Sequence, residues 1–300
     1  MFLSWIINFS IMRLPAANVF ALLTAALIWG LVWYPYRYLR EAGLAAAWAT
    51  VLTYGVAWLA VALLFHQRVR STGPSRMLVW IALSAGVANV GFLIAAIYGQ
   101  VARVVLLFYI APVWTAVFAW WLLGERPSRQ MGWTTAAALG GVAVMLWNPA
   151  LGIPWPRDGA EWLALVSGVA FALSNVLVRK TGGIDTGVRS FYIFGGCVLT
   201  GLAAAVLLEQ PLAWPPQPWP VVALVMVTGF VMLMCNWIVQ YGLTHTPANL
   251  AIVIYLSELV FAALGAWLLA GETLGPKEIA GGVIVMAASV LSAWQARGRE

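Results

Sequence analysis

Charge is scarce in this chain. Asp, Glu, Lys and Arg make up 9% of its 300 residues, against 63% hydrophobic ones, and the mean hydropathy is +0.90. A soluble domain carries about 25% charged residues. So little charge cannot cover a water-facing surface, which excludes a soluble globular domain and leaves an integral membrane protein. The net charge of +6 then requires no nucleic-acid partner, because a bias of basic residues toward retained loops accounts for it. Lysine is nearly absent: Lys180 and Lys277 both lie at the ends of apolar stretches. No apolar stretch carries Lys or Arg at its centre, which argues against a phosphate-bearing ligand held at the bilayer midplane.

Other absences narrow the chemistry further. The two cysteines, Cys197 and Cys235, sit inside apolar stretches and read as buried thiols rather than a disulfide. His66 and His245 lie at loop edges without a partner set, so neither marks a metal or proton site. There is no phosphate loop of the G-x-x-x-x-G-K-[ST] type and no H-E-x-x-H helix, so ATP hydrolysis and zincin-like proteolysis lack their machinery. No paired catalytic constellation is visible. The expectation is a non-enzymatic protein with no cofactor and no metal.

What is present is a series of apolar runs. Ten candidate spans fall at 17–37, 44–65, 77–98, 103–123, 130–147, 160–179, 188–208, 219–241, 248–270 and 277–295. Each approaches the roughly 20 residues a spanning helix needs, and without alternating barrel-type patterning they are helices. Ser75 and Ser128 are placed to cap the third and fifth, and Pro276 to open the tenth. Pro149, Pro154 and Pro156 stiffen one connector. Pro211, Pro215, Pro216, Pro218 and Pro220 stiffen another, in an extended polyproline conformation. Trp147, Trp155, Trp162, Trp214 and Trp219 crowd these connectors, as amphipathic rings do at the headgroup level. Residues 1–16 form an apolar arm too short to span, lying on the surface, and Met12 offers a second start.

The chain repeats itself. A shift of 147 positions lays 89–125 on 236–272 with eight identities: Asn89 on Asn236, Val113 on Val260, Ala116 on Ala263, Ala119 on Ala266, and Trp120, Leu122, Gly124 and Glu125 on Trp267, Leu269, Gly271 and Glu272. A repeat in so apolar a chain points to two related halves, 17–147 and 160–295, joined by a connector at 148–159 and followed by a tail at 296–300. With the N-terminus in the cytoplasm, Arg13, Arg68, Arg70, Arg76, Arg126, Arg129, Arg179, Lys180, Arg189, Arg297 and Arg299 fall inside. Arg37, Arg40, Arg103, Arg157 and Lys277 fall outside. That bias sets both termini inside. Five spans per copy is an odd number, so the copies insert in opposite senses. The fold expected is all-α and integral to the membrane: ten transmembrane helices as two inverted five-helix repeats around a central cavity.

The run from Ile110-Ala111-Pro112-Val113 to Trp120-Trp121-Leu122-Leu123-Gly124-Glu125, and its second copy from Ser257-Glu258-Leu259-Val260 to Gly271-Glu272, resemble a family pattern. The pattern is a Pro-Val pair followed by a small apolar helix ending in Gly-Glu. It is that of the drug/metabolite transporter superfamily, EamA type. The second copy departs from it, with Leu259 where proline is usual. The Trp-rich chain most resembles the YddG-type bacterial exporters of aromatic and neutral amino acids. The resemblance implies a secondary transporter of the bacterial inner membrane, moving small neutral or aromatic amino acids outward by alternating access. The lipid bilayer is its expected surroundings and a monomer its expected unit, although the sequence does not fix an oligomeric state. The alternatives are a multidrug or hydrophobic-cation exporter and a non-transporting membrane scaffold.

The candidate binding residues follow from cost. Glu258, near the middle of the ninth span, is an expensive charge at bilayer depth, suited to receive a substrate ammonium or carry a proton. Asn89 and Asn236 are repeat mates placed either to bond each other or to hold the substrate's polar groups. Asn236 shares a face with Gln240, and Ser174 and Asn175 lie toward the inner end of the sixth span. Trp29, Trp33, Tyr98, Tyr109 and Tyr255 supply aromatic walls for a flat apolar side chain. The Gly-Glu pairs read as structural: Gly turns the chain and Glu accepts from the free amides opening the next helix. The glycine pairs Gly140-Gly141, Gly195-Gly196 and Gly281-Gly282 permit close helix packing, within or between subunits.

Overall fold

The computed structural model describes residues 16–99, 101–126, 128–147, 156–213, 215, 218–270 and 275–297. The arm with Met12, the connector residues Pro149, Pro154, Trp155, Trp214 and Pro216, and the second Gly271-Glu272 pair lie outside the described residues. Among the described residues there is no β-strand. The chain runs as α1 (Ala16–Leu31), α2 (Trp33–Glu41), α3 (Ala46–Thr72), α4 (Arg76–Tyr98), α5 (Val101–Phe108) and α6 (Ala111–Phe118), the last extended by a π-helical turn, Ala119–Leu123. It continues through α7 (Arg129–Leu146), α8 (Gly159–Lys180), α9 (Thr186–Leu207), α10 (Pro218–His245), α11 (Ala248–Tyr255), α12 (Ser257–Ala270) and α13 (Pro276–Arg297). Seven stretches are long and apolar enough to cross a bilayer, and Ala111–Leu123 and Ile279–Leu291 are shorter apolar helices.

Local chemistry sets the boundaries. The Ser75 hydroxyl accepts from the Leu78 amide and the Ser128 hydroxyl from the Met131 amide, each capping a helix start. Pro276 opens α13, where its missing donor is not needed. Trp147, Trp162 and Trp219 are exposed at helix ends. Both cysteines are buried and free.

Three expected spans are broken rather than continuous. The first divides at Val32, because Pro35 cannot donate to the Leu31 carbonyl and its ring crowds that oxygen. The fourth divides at Tyr109–Ile110, where Pro112 denies a donor to the Phe108 carbonyl in the same way. The ninth divides at Leu256 although Leu259 stands in the proline position. Serines release the backbone there instead. Ser257 Oγ donates to the Ile254 carbonyl at 2.6 Å, and Ser289 Oγ of α13 donates to the Val253 carbonyl at 2.9 Å. Leu256 lies 147 positions after Tyr109, so the two breaks coincide under the sequence repeat.

Glycine decides how closely the rods approach, and here the packing is within one chain. α4 packs on α8 and α9, α3 on α9 and α10, α1 on α10 and α12, α5 and α6 on α8, and α7 on α13. A Cβ on Gly196 of α9 would overlap the Ala82 carbonyl of α4, and one on Gly141 of α7 would lie 2.8 Å from the Gly281 carbonyl of α13. Gly30 of α1 lies against the backbone of Glu258 and Ala262, and Gly168 of α8 against the Phe108 carbonyl freed by the Tyr109–Ile110 break. Small residues at such crossings let backbones touch where lipid supplies no hydrophobic drive for association. Arg189, expected at the cytoplasmic end of the seventh span, is fully buried at the start of α9 and donates to the Val178 carbonyl at 2.8 Å near the end of α8, where a cation suits the helix dipole.

Gly196→Val is expected to force α9 off α4 and destabilise the protein by about 1–3 kcal/mol or more. Thermal unfolding of the detergent-solubilised variant beside wild type measures this, and an unchanged transition would contradict the packing described.

Candidate functional site

The rods enclose a cavity of about 450 Å³. Its walls come from both sides of the repeat. The α1/α2 break supplies Trp29 and Trp33, α4 supplies Asn89 and Phe92, the α5/α6 break supplies Tyr109, α8 supplies Phe171 and Asn175, α10 supplies Asn236 and Gln240, and the α11/α12 break is flanked by Tyr255 and Glu258. Eight of the nine candidate residues therefore line one space. The ninth, Tyr98, does not: it ends α4 with its ring 58% exposed, because α4 runs past the cavity before stopping at Gly99. A larger recess of about 710 Å³ lies between α7, α12 and α13. Its lining, including Val260, Leu264, Val283 and Val290, is wholly apolar and offers nothing to a polar ligand.

The walls are continuous aromatics. Ring centroids of Phe92 and Phe108 are 4.6 Å apart, Phe108 and Phe171 5.4 Å, and Phe171 and Tyr255 6.2 Å with an interplanar angle of 71°. Offset and edge contacts at such spacings are attractive and hold a rigid surface. Glu258 enters this space from the first turn of α12, where the helix dipole favours a carboxylate. Tyr109, beside the α5/α6 break, lines the same space. The two breaks thus face the same space, and α6 and α11, which flank them, pack on each other.

The repeat mates Asn89 and Asn236 do not bond each other. Asn89 donates to the Ala85 carbonyl at 2.8 Å and accepts from the Tyr54 hydroxyl at 2.9 Å. Asn236 Oδ1 accepts from Ser190 Oγ at 2.9 Å and from Gln240 Nε2 at 2.6 Å. Each amide is engaged with a helix next to its own. Three other buried polar atoms around the cavity have no partner: Asn175 Nδ2, Gln240 Oε1 and Tyr255 Oη. Tyr54 and Tyr36, which also line the cavity, escaped the sequence reading. They sit among many other aromatics in α2 and α3, and only the tertiary contacts Tyr54–Asn89 and Tyr36–Thr53, the latter at 2.6 Å, set them apart.

A cluster around Glu125 and Arg179 ties one end of the bundle together. Gly124 takes the left-handed conformation, with φ of 73°, and turns Glu125 inward. One Glu125 oxygen receives Arg179 Nε at 2.5 Å and the other receives the Ala248 amide at 3.0 Å. The Glu therefore caps α11 across the bundle rather than the helix that follows it, as the sequence suggested. Arg179 also reaches the Leu243 and Thr244 carbonyls, Lys180 Nζ donates to the Leu122 carbonyl, and Asn18 Nδ2 to the His245 carbonyl. His66 and His245 are exposed, consistent with solvated rings.

Among the described residues, bilayer-length apolar helices broken where they line a buried polar-and-aromatic cavity make this a multi-pass membrane protein, and helices interrupted at a central site are a feature of transporter folds. The sequence model of the EamA-like transporter family matches the chain twice, at residues 16–147 and 159–294, and the chain belongs to that family. The pseudopaline exporters of two Pseudomonas aeruginosa strains are each 25% identical over 238 residues, covering 76% of this chain and 80% of theirs. A solved crystal structure that is 17% identical superposes with a TM-score of 0.71 over 93% of this chain and 98% of its own. That likeness shows the fold.

Glu125→Ala is expected to lower stability by about 1.5–3 kcal/mol, since it strips a charge-assisted bond and a helix cap from a partly buried site. Lys180→Ala, whose contact is exposed, should stay within about 0.5 kcal/mol. Thermal unfolding in detergent separates the two, and equal shifts would contradict the assignment.

Proposed function

We propose that the chain is a secondary transporter that exports small neutral and aromatic amino acids across the bacterial inner membrane by alternating access. Its ten helical rods form two inverted repeats, 17–147 and 160–295, with both termini cytoplasmic. Support for the repeats comes from the contacts. Exchanging α1/α2 with α8, α3 with α9, α4 with α10, α5/α6 with α11/α12 and α7 with α13 turns the α4–α8 contact into α10–α1, α6–α8 into α12–α1, and α4–α9 into α10–α3, all of which occur. The α3–α9 and α7–α13 pairs exchange with themselves. The two halves rock against each other around the cavity, and the Glu125–Arg179 tie closes the cytoplasmic end of one state.

The observation that carries the substrate reading is Glu258, a carboxylate in a cavity walled by Phe92, Phe108, Phe171 and Tyr255. The carboxylate receives an ammonium and the rings receive a flat apolar side chain. Among the described residues no Lys or Arg lines the cavity, which disfavours phosphate-bearing cargo. The same feature favours a second reading, an exporter of hydrophobic cations, in which Glu258 pairs with the cation and the rings stack on it. The Pseudomonas relatives are named for pseudopaline export, and a shared outward direction is part of this proposal.

Flux of labelled L-phenylalanine through the protein in liposomes, with and without a pH gradient, tests it. Wild type is expected to give saturable flux, and Glu258→Gln to reduce it about tenfold to hundredfold, the loss of one charge-assisted contact. Gradient-driven flux lost in the variant identifies Glu258 as the proton-coupling group. Flux indifferent to the gradient identifies a facilitator. Flux of drug cations with none of amino acids would replace this reading with the second.

A further inference from the structure

Glu258 can satisfy a substrate ammonium, but it leaves the other pole of a zwitterion unanswered. Among the described residues no cationic side chain lines the cavity, so a substrate carboxylate there depends on neutral donors. Asn89 and Asn236 are engaged by Tyr54, Ser190 and Gln240. Among the described residues, the buried donors on the cavity wall without a partner are Asn175 Nδ2 and Tyr255 Oη, both on residues more than nine-tenths buried. They share one patch of wall: Asn175 lies one turn after Phe171 on α8, and the Phe171 ring packs edge-on against Tyr255. Tyr255 in turn precedes Glu258 by three residues across the α11/α12 break.

We infer that Asn175 and Tyr255 form the carboxylate-recognition pair of this site. The inference rests on the reading of the cavity as an amino-acid site and adds the requirement for both poles. The Asn175 amide and the Tyr255 hydroxyl donate to the substrate carboxylate while Glu258 receives its ammonium and the Phe92–Phe108–Phe171 wall takes the side chain. A buried donor that a ligand leaves unmet is costly, so sites built on such donors reject analogues lacking the matching group far more sharply than apolar pockets reject a misfit. An amine without a carboxylate leaves two donors unmet. A carboxylate without an amine meets the uncompensated charge of Glu258. The pair therefore makes the cavity selective for α-amino acids over the hydrophobic amines that its aromatic walls alone would admit.

Binding of labelled L-phenylalanine to the purified protein in nanodiscs, competed by unlabelled L-phenylalanine, phenethylamine and 3-phenylpropionate, tests this. Wild type should prefer L-phenylalanine over phenethylamine by on the order of a hundredfold. Asn175→Leu with Tyr255→Phe should shrink that ratio to below about tenfold by weakening L-phenylalanine while leaving phenethylamine unchanged. Retained phenethylamine binding shows that the variant is folded. Should the double variant not fold, Tyr255→Phe alone, which removes a single oxygen, should reduce the ratio. Equal wild-type affinity for L-phenylalanine and phenethylamine, or a ratio unmoved by the substitutions, overturns the pair while leaving the cavity an amine site. Absence of L-phenylalanine binding overturns the amino-acid reading itself, and the pair with it.

Discussion

Hydrocarbon offers no donors and no acceptors, so each backbone group inside this bundle must be satisfied by the protein itself. That constraint makes the chain helical and also controls where it stops being helical. The breaks at Val32, Tyr109–Ile110 and Leu256 all flank the cavity, where polar side chains are available to meet freed carbonyls. The first two follow from Pro35 and Pro112. The third is produced by Ser257 and Ser289 without any proline. One geometry is thus reached by two chemistries, because either the loss of an amide or competition from a hydroxyl uncouples a carbonyl from its helix.

Close approach between rods is the second consequence. Without a hydrophobic force between apolar helices in lipid, contact depends on shape. Gly30 and Gly168 let the opening helix of each copy rest on a broken helix of the other at the point where the break exposes backbone. The cavity is therefore framed by glycine crossings as much as by the side chains that line it, and its dimensions are fixed by helices that cannot drift apart without leaving a void.

Polar groups are divided between two tasks. Asn89 with Tyr54, and the Asn236 amide oxygen with Ser190 and Gln240, fasten neighbouring helices. Glu258, Asn175 and Tyr255 face the cavity with capacity to spare. Glu125 belongs to neither group: it gathers α8 and α11 at one end of the bundle, joining segments matched by different copies of the family model. The same residue types serve as fasteners in one place and as open sites in another, and the difference lies in whether a partner stands within reach.

The amino-acid sequence by itself settled that the chain is an apolar helical membrane protein. It exposed the repeat through the Asn89–Asn236 and Gly-Glu correspondences, and it drew attention to Glu258 because one acid in an apolar run is conspicuous. Composition and spacing suffice for these, since the cost of charge in lipid and the length of a spanning helix are local properties. Tertiary structure decided the rest. It removed Tyr98 from the cavity, brought in Tyr54 and Tyr36, separated Asn89 from Asn236, buried Arg189 and sent Glu125 to a distant helix. None of these could be read from the chain, because whether a polar atom is saturated or left open depends on groups brought to it from remote positions, and a sequence pattern specifies a face of a helix but not its neighbour.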